Sequence, residues 1–300
     1  MTLLVVGSVA IDTVETPKET RENVLGGSAA YFAYAASFFT PVRLVAPVGE
    51  DWPAEHTRLL AARGIDTSGL QVVKGGRTFR WRGRYLPNMN DRETLDVQLN
   101  VLADFDPRLP DDFKRCPFVF LANGMPSTQL HVFDQLTGPR LVVADTMDHW
   151  IRDYRDELIE VLARVDGVVM NDSEARLLTG EENLVRAGRC VHALGPRFVV
   201  IKKGEHGAMF FSKHETYVLP AYPVEHVVDP TGAGDSFAGG MMGCLAESGS
   251  LDAVALKTAM AYGILVASFT VEDFSLKRLE QIDRNELELR LEKYKRMLNL

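Results

Sequence analysis

Between Asp229 and Gly240 the chain reads Asp-Pro-Thr-Gly-Ala-Gly-Asp-Ser-Phe-Ala-Gly-Gly. A small-residue turn runs straight into an apolar segment with Phe237, Met241, Cys244 and Leu245 at helical spacing. A turn of Thr231, Gly232, Ala233 and Gly234 opening a helix leaves several backbone N–H groups without intrahelical partners, and the helix dipole adds partial positive charge there. Such an end holds anions, phosphate in particular. Asp235 falls in the first helical turn, within reach of whatever the amides bind. An anion cradle with a carboxylate beside it suits phosphoryl transfer, the carboxylate taking the proton of an attacking hydroxyl. Turn and dipole preferences alone are the better explanation of a bare Gly-Ala-Gly-Asp.

The elements around this run alternate. Short β-branched stretches at 3–9, 42–46, 118–121, 141–144, 167–170 and 198–201 are separated by helical patterns such as 28–39, 52–63, 127–136, 154–164 and 173–178. Continuously apolar strands divided by helices describe a parallel sheet covered on both faces. The stretch 71–100 breaks the pattern with two-residue alternation. Phe79, Trp81 and Tyr85 share one face and Thr78, Arg80, Arg82 and Arg84 the other; Leu95, Val97, Leu99 and Val101 then repeat it. These read as antiparallel strands of a small separate sheet, completed by residues near 12–20. Its aromatic face must cover a ligand, another subunit or the main domain. A hairpin at 208–212 and 216–219 and helices at 233–247, 251–269 and 276–297 complete the chain as a single domain, 1–300.

With 46% hydrophobic residues the 300-residue chain can bury a large core, and a net charge of −8 argues against a nucleic-acid surface. The basic cluster Lys74 to Arg84 is followed closely by Asp91, Glu93 and Asp96, as on a solvated strand face. Cys116, Cys190 and Cys244 are scattered, and the histidines show no ligand spacing, so neither a disulfide framework nor a zinc site is indicated. No apolar segment of about 18 residues runs free of polar interruption, and the strand-like run 3–6 follows no basic or cleavage-site pattern in this sequence. The expectation is a cytoplasmic protein with no membrane partner. There is no Gly-rich loop ending in Gly-Lys-Ser/Thr, and Gly7 to Asp12 lacks the spacing of a dinucleotide fingerprint.

Taken at full length, Asp229 to Gly240 resembles the C-terminal signature of the ribokinase (PfkB) family of carbohydrate and nucleoside kinases nearly residue for residue. The resemblance extends over essentially the whole chain. Leu25-Gly26-Gly27-Ser28-Ala29-Ala30-Tyr31 looks like the family's N-terminal Gly-Gly motif, where backbone closes on the sugar; Ser28 stands where Lys or Asn is frequent. Asp12 matches the acidic residue that binds sugar hydroxyls, and Asn123 a position near the sugar. Asn171-Asp172-Ser173-Glu174 resembles the N-x-x-E motif that influences magnesium and phosphate binding. There Ser173 or Asp172 is the expected helix cap, Asn171 belongs to the nucleotide side, and Glu174 acts on Mg²⁺ through water. Lys202 and Gly204 fall in the family's nucleotide-binding turn, and 267–275 in its adenine region. Asp229 implies a monovalent cation, although Glu272-Asp273 stand where other members carry glycine.

What the resemblance implies is a ribokinase-like three-layer αβα sandwich with a small β lid. Its activity is ATP- and Mg²⁺-dependent phosphorylation of a primary hydroxyl on a small sugar, with Asp235 as general base and Gly232, Ala233 and Gly234 as anion hole. Two alternatives stand beside it: a nucleoside kinase, the lid aromatics stacking on a base, and a non-catalytic sugar or nucleotide sensor. The lid's aromatic face suggests a homodimer through the lid.

Overall fold

The computed structural model describes residues 1–299; of the expected 1–300 domain only Leu300 lies outside it. Nine strands form the central sheet in the order Thr216–Leu219, Ala208–Ser212, Phe198–Lys202, Gly167–Asn171, Leu141–Asp145, Phe118–Leu121, Leu3–Val6, Val42–Gly49, Asp66–Val73. The strands from Phe198–Lys202 to Asp66–Val73 are parallel, and the 208–219 hairpin closes one edge antiparallel. Alternate residues of one strand serve opposite layers. Leu3, Val5, Phe118 and Phe120 pack under the helices Ser28–Ala36, Ala233–Ser248 and Ala253–Thr270, while Leu4, Val6, Val119 and Leu121 face the helices on the other side. This two-sided burial is why the strands read as unbroken apolar runs.

The layer that carries the Gly-Ala-Gly turn is packed unusually closely. All nine residues of Ser28–Ala36 are buried. A Cβ on Gly243 would stand 2.9 Å from Ala36 O, and one on Gly240 3.1 Å from Tyr262 O, so glycines on two sides of Ala233–Ser248 admit both neighbouring helices. Ala253–Thr270 is long and apolar enough to span a membrane by composition, yet it lies in this layer as a core helix, 61% buried.

The second sheet has four strands in the order Thr20–Gly26, Ala10–Glu15, Arg80–Tyr85, Arg92–Gln98. It is larger at its N-terminal side than 12–20, and residues 71–73 belong to the main sheet, where Gln71 pairs with Pro47. The first strand stops at Val6 because the chain turns through Gly7-Ser8 into the lid. Between Arg92–Gln98 and its partner the register shifts: Arg82 faces Asp96 but Gly83 faces Thr94, so Leu95 is an extra residue. The alternation expected to keep Leu95 with Val97 and Leu99 is therefore interrupted at that point.

One expected helix is broken in two, and one short helix was not expected. The expected helix at 154–164 runs Arg155–Arg164, and a further helix, Asp148–Asp153, precedes it, the two separated at Tyr154, whose φ of −133° leaves the helical region. Lys277–Glu280 and Arg284–Leu298 are separated because Asp283 caps the second helix, accepting from Glu286 N while the Glu286 side chain returns to Asp283 N.

Candidate active site

The carboxyl ends of the central strands, the lid and the start of Ala233–Ser248 surround one cavity of about 1380 Å³. Its floor is the anion turn. Gly232 is the helix N-cap at φ 73°, the left-handed region, and a Cβ there would enter the Tyr31 ring, so only glycine fits. The helix then starts at Ala233, whose N–H closes the turn onto Pro230 O at 3.1 Å, and Gly232, Ala233, Gly234 and Asp235 line the cavity. Beside them stands Lys202: a Cβ on Gly234 would come within 2.7 Å of its Nζ. Burial raises the Asp235 carboxyl above its usual range, and the positive charges of Lys202 and then Arg92 oppose that rise.

Of the residues singled out in the sequence, Asp12, Gly27, Ser28, Asn123, Asn171, Glu174, Lys202, Gly204 and Thr231 also line this cavity. Gly26 and Asp229 are not among its lining residues. A Cβ on Gly26 would collide with the Asp12 carboxylate. Asp229 is fully buried and accepts from Thr231 N at 2.9 Å and Ser275 N at 3.4 Å, tying the anion turn to the adenine-side segment. Glu272, at the departure noted above, is taken by ion pairs to Arg278 (2.9 Å) and Arg290 (2.7 Å).

On the acceptor side Asp12 is buried with Oδ1 lacking any partner, and its pKa is pushed up to about 8, first by burial and then by the charges of Asp229 and Asp235. Gly27, at φ 94°, lets the backbone pass where a Cβ would sit 2.6 Å from Ser8 O. Ser8, missed in the sequence, fixes this turn: its Oγ accepts Ser28 N at 3.2 Å and meets Ser28 Oγ at 3.1 Å. Asn123 Oδ1 accepts the Trp150 indole at 2.8 Å.

The N-x-x-E segment needs one correction. Asn171 itself, not Ser173 or Asp172, is the N-cap: its Oδ1 accepts Glu174 N at 2.8 Å, and Glu174 Oε2 accepts Asn171 N at 2.7 Å. The two residues form a capping box, which still leaves Asn171 Nδ2 and Glu174 Oε1 for a ligand. Two further residues belong to the site and were missed in the sequence. Asp145, at the end of its strand, is buried with Oδ1 unpartnered, and burial together with the Asp235 charge holds its carboxyl well above the usual range. Arg92, at the start of the last lid strand, lines the same cavity. A buried Asp at a strand end was a detectable signal; nothing in the local sequence marked Arg92.

The chain matches the family model described as pfkB family carbohydrate kinase over residues 129–280. It is 33% identical over 247 residues to the cytidine kinase of Thermococcus kodakarensis, covering 80% of this chain and 87% of that one. Its fold matches the Burkholderia thailandensis nucleoside kinase solved with inosine, with a TM-score of 0.81 at 19% identity over 97% of this chain and 96% of that one. It likewise matches the Arabidopsis thaliana ribokinase solved with ribose and ATP, with a TM-score of 0.77 at 22% identity over 96% and 98%. The chain belongs to the pfkB family of carbohydrate kinases and is a phosphotransferase acting on a sugar or nucleoside hydroxyl.

Proposed function

We propose that the chain transfers the γ-phosphate of ATP to the primary hydroxyl of a ribonucleoside. The observation that carries this is the make-up of the cavity wall. Besides the hydroxyl-binding group of Asp12, Ser28 and Asn123, it includes the apolar side chains of Leu99, Leu102, Phe105, Met125 and Val132. A free pentose carries hydroxyls around its ring and gains nothing from such a surface, whereas a nucleobase does. The total volume exceeds the roughly 300–1,000 Å³ usual for one small ligand and suits two reactants. The likeness to a cytidine kinase supports the same reading. A small-sugar kinase is the second reading, because the hydroxyl-binding group of Asp12, Ser28 and Asn123 serves the vicinal hydroxyls of a free pentose as well as those of a ribonucleoside.

In this reading Asp235 takes the hydroxyl proton as the oxygen attacks the γ-phosphorus, and the bond to the β-phosphate oxygen breaks to release ADP. Its raised pKa brings the base closer to working pH, where proton acceptance is most effective. The amides at Gly232 and Gly234 hold the transferring group, with Lys202 beside them. ATP lies toward Asn171, Gly204, Tyr222 and Ala267. Glu174 and Asp145 fit Mg²⁺ held through water: both offer carboxylate oxygen, and Oδ1 of Asp145 has no hydrogen-bond partner. The ion supplies charge neutralisation on the phosphates. The lids of two copies pair in a homodimer.

ADP release measured with cytidine, uridine, adenosine, inosine, ribose and deoxyribose tests the acceptor. At least one nucleoside should exceed ribose by about tenfold or more in kcat/KM. Preference for ribose or deoxyribose returns the small-sugar reading, and binding without turnover for every acceptor supports a sensor.

A further inference from the structure

The lid is pinned to the phosphate half of the site at two points. Thr231 Oγ1 donates to the Tyr85 hydroxyl at 3.2 Å, both residues being buried, and at the hairpin turn Asn90 Nδ2 donates to Glu205 Oε1 at 3.0 Å. Between these points the chain returns as Arg92, paired across the sheet with Tyr85. Strict alternation from Val97 and Leu99, both lining the cavity, would turn Leu95 and Glu93 inward. The bulge at Leu95 shifts the phase by one residue, and it is Thr94 and Arg92 that line the cavity instead. Bulges beside active sites re-aim side chains in this manner. Trp81 steadies the result, with the Arg92 guanidinium 5.5 Å from its ring centroid and its indole donating to Thr94 Oγ1 at 3.4 Å.

The electrostatics give that arginine a task. Asp12, Asp145, Glu174 and Asp235 all line the cavity, and among the described residues Lys202 and Arg92 are its only Lys or Arg lining side chains. A nucleoside triphosphate adds more negative charge to this set. The field of Arg92 reaches Asp235 and Asp12, opposing the rise in pKa that burial causes in each.

We propose that Arg92 is a catalytic residue delivered by the lid, its guanidinium neutralising charge on the phosphoryl group as it passes from ATP to the acceptor. The bulge aims it, and the Tyr85–Thr231 and Asn90–Glu205 contacts set its position relative to the anion turn. The lid then does more than exclude water, because closing it completes the set of cations that phosphoryl transfer needs.

This rests on the kinase reading, and turnover by the wild type tests that reading separately. With a turned-over acceptor, Arg92→Gln should lower kcat about 10²- to 10³-fold, toward the lower end of what an arginine at a transferring phosphoryl contributes. The acceptor KM should move less than about threefold. Added guanidinium ion should restore part of kcat in Arg92→Gln and none in the wild type, and Arg92→Lys should fall between them. Arg84→Gln is the control: Arg84 sits on the same lid but pairs with Glu15 at 2.9 Å away from the cavity. It should keep wild-type kcat. The proposal is overturned if Arg92→Gln keeps kcat within about threefold of wild type, if its loss lies wholly in KM, or if Arg84→Gln loses as much. A wild type that phosphorylates no acceptor overturns the kinase reading instead.

Discussion

Asp12 is a carboxyl that the fold keeps from water and surrounds with other acids, and its pKa of about 8 has a measurable consequence. A folded-state pKa raised above the unfolded value of 3.8 gives stability that is complete below that value and lost as pH climbs through about 8. Asp12→Asn removes the titration while keeping the shape. Its melting temperature should therefore rise relative to wild type between about pH 5 and about pH 9, the gap widening with pH, while acceptor turnover is lost. A constant gap across that range would mean Asp12 does not titrate there. Asp235 gives a second pH signature. Burial raises its pKa and the Lys202 ammonium is the largest influence against that rise, so Lys202→Gln should move the acidic limb of the kcat/KM profile to higher pH. A shift to lower pH, or none, would separate Lys202 from the base.

At the scale of elements, glycine decides how the catalytic helix is held. Ala233–Ser248 lies against Ser28–Ala36 and Ala253–Thr270, and a Cβ on Gly239 would press on Phe32 O and stand 2.8 Å from Ala35 Cβ. Gly239→Ala should cost about 1–3 kcal/mol in urea unfolding, the usual scale of overpacking. An unchanged midpoint would mean the helices separate freely. The same elements explain what could be read from the sequence. The anion turn, the Gly-Gly turn and the N-x-x-E cap are legible because each makes its chemistry from consecutive residues whose backbone conformation is locally determined. Arg92 is not, because its direction depends on a one-residue slip between paired strands, which periodicity cannot register. The break at Asp283 was legible in principle, since Asp283 and Glu286 spell a capping box inside an apolar pattern.

Across the whole molecule, two sheets close on one cavity, and only the larger is covered on both faces. The layered core followed from apolar strands alternating with helices, whereas the extent of the lid did not, because Thr20–Gly26 is mostly exposed and carries little apolar periodicity. That exposure continues at the opposite edge. All seven residues of Arg92–Gln98 are exposed, and Leu95, Val97 and nearby Leu99 keep 40%, 47% and 43% of their surface accessible. An edge strand with free backbone groups and apolar side chains pairs readily with another chain. A lid-to-lid homodimer would cover it, and light scattering coupled to gel filtration should give twice the 33.3 kDa chain mass. Leu95→Lys places a charge on that edge without touching the cavity lining, so it should shift the mass to that of one chain. Wild-type protein that elutes as a single chain at every concentration would leave the edge without a second copy. If Leu95→Lys remains a dimer, the copies meet elsewhere.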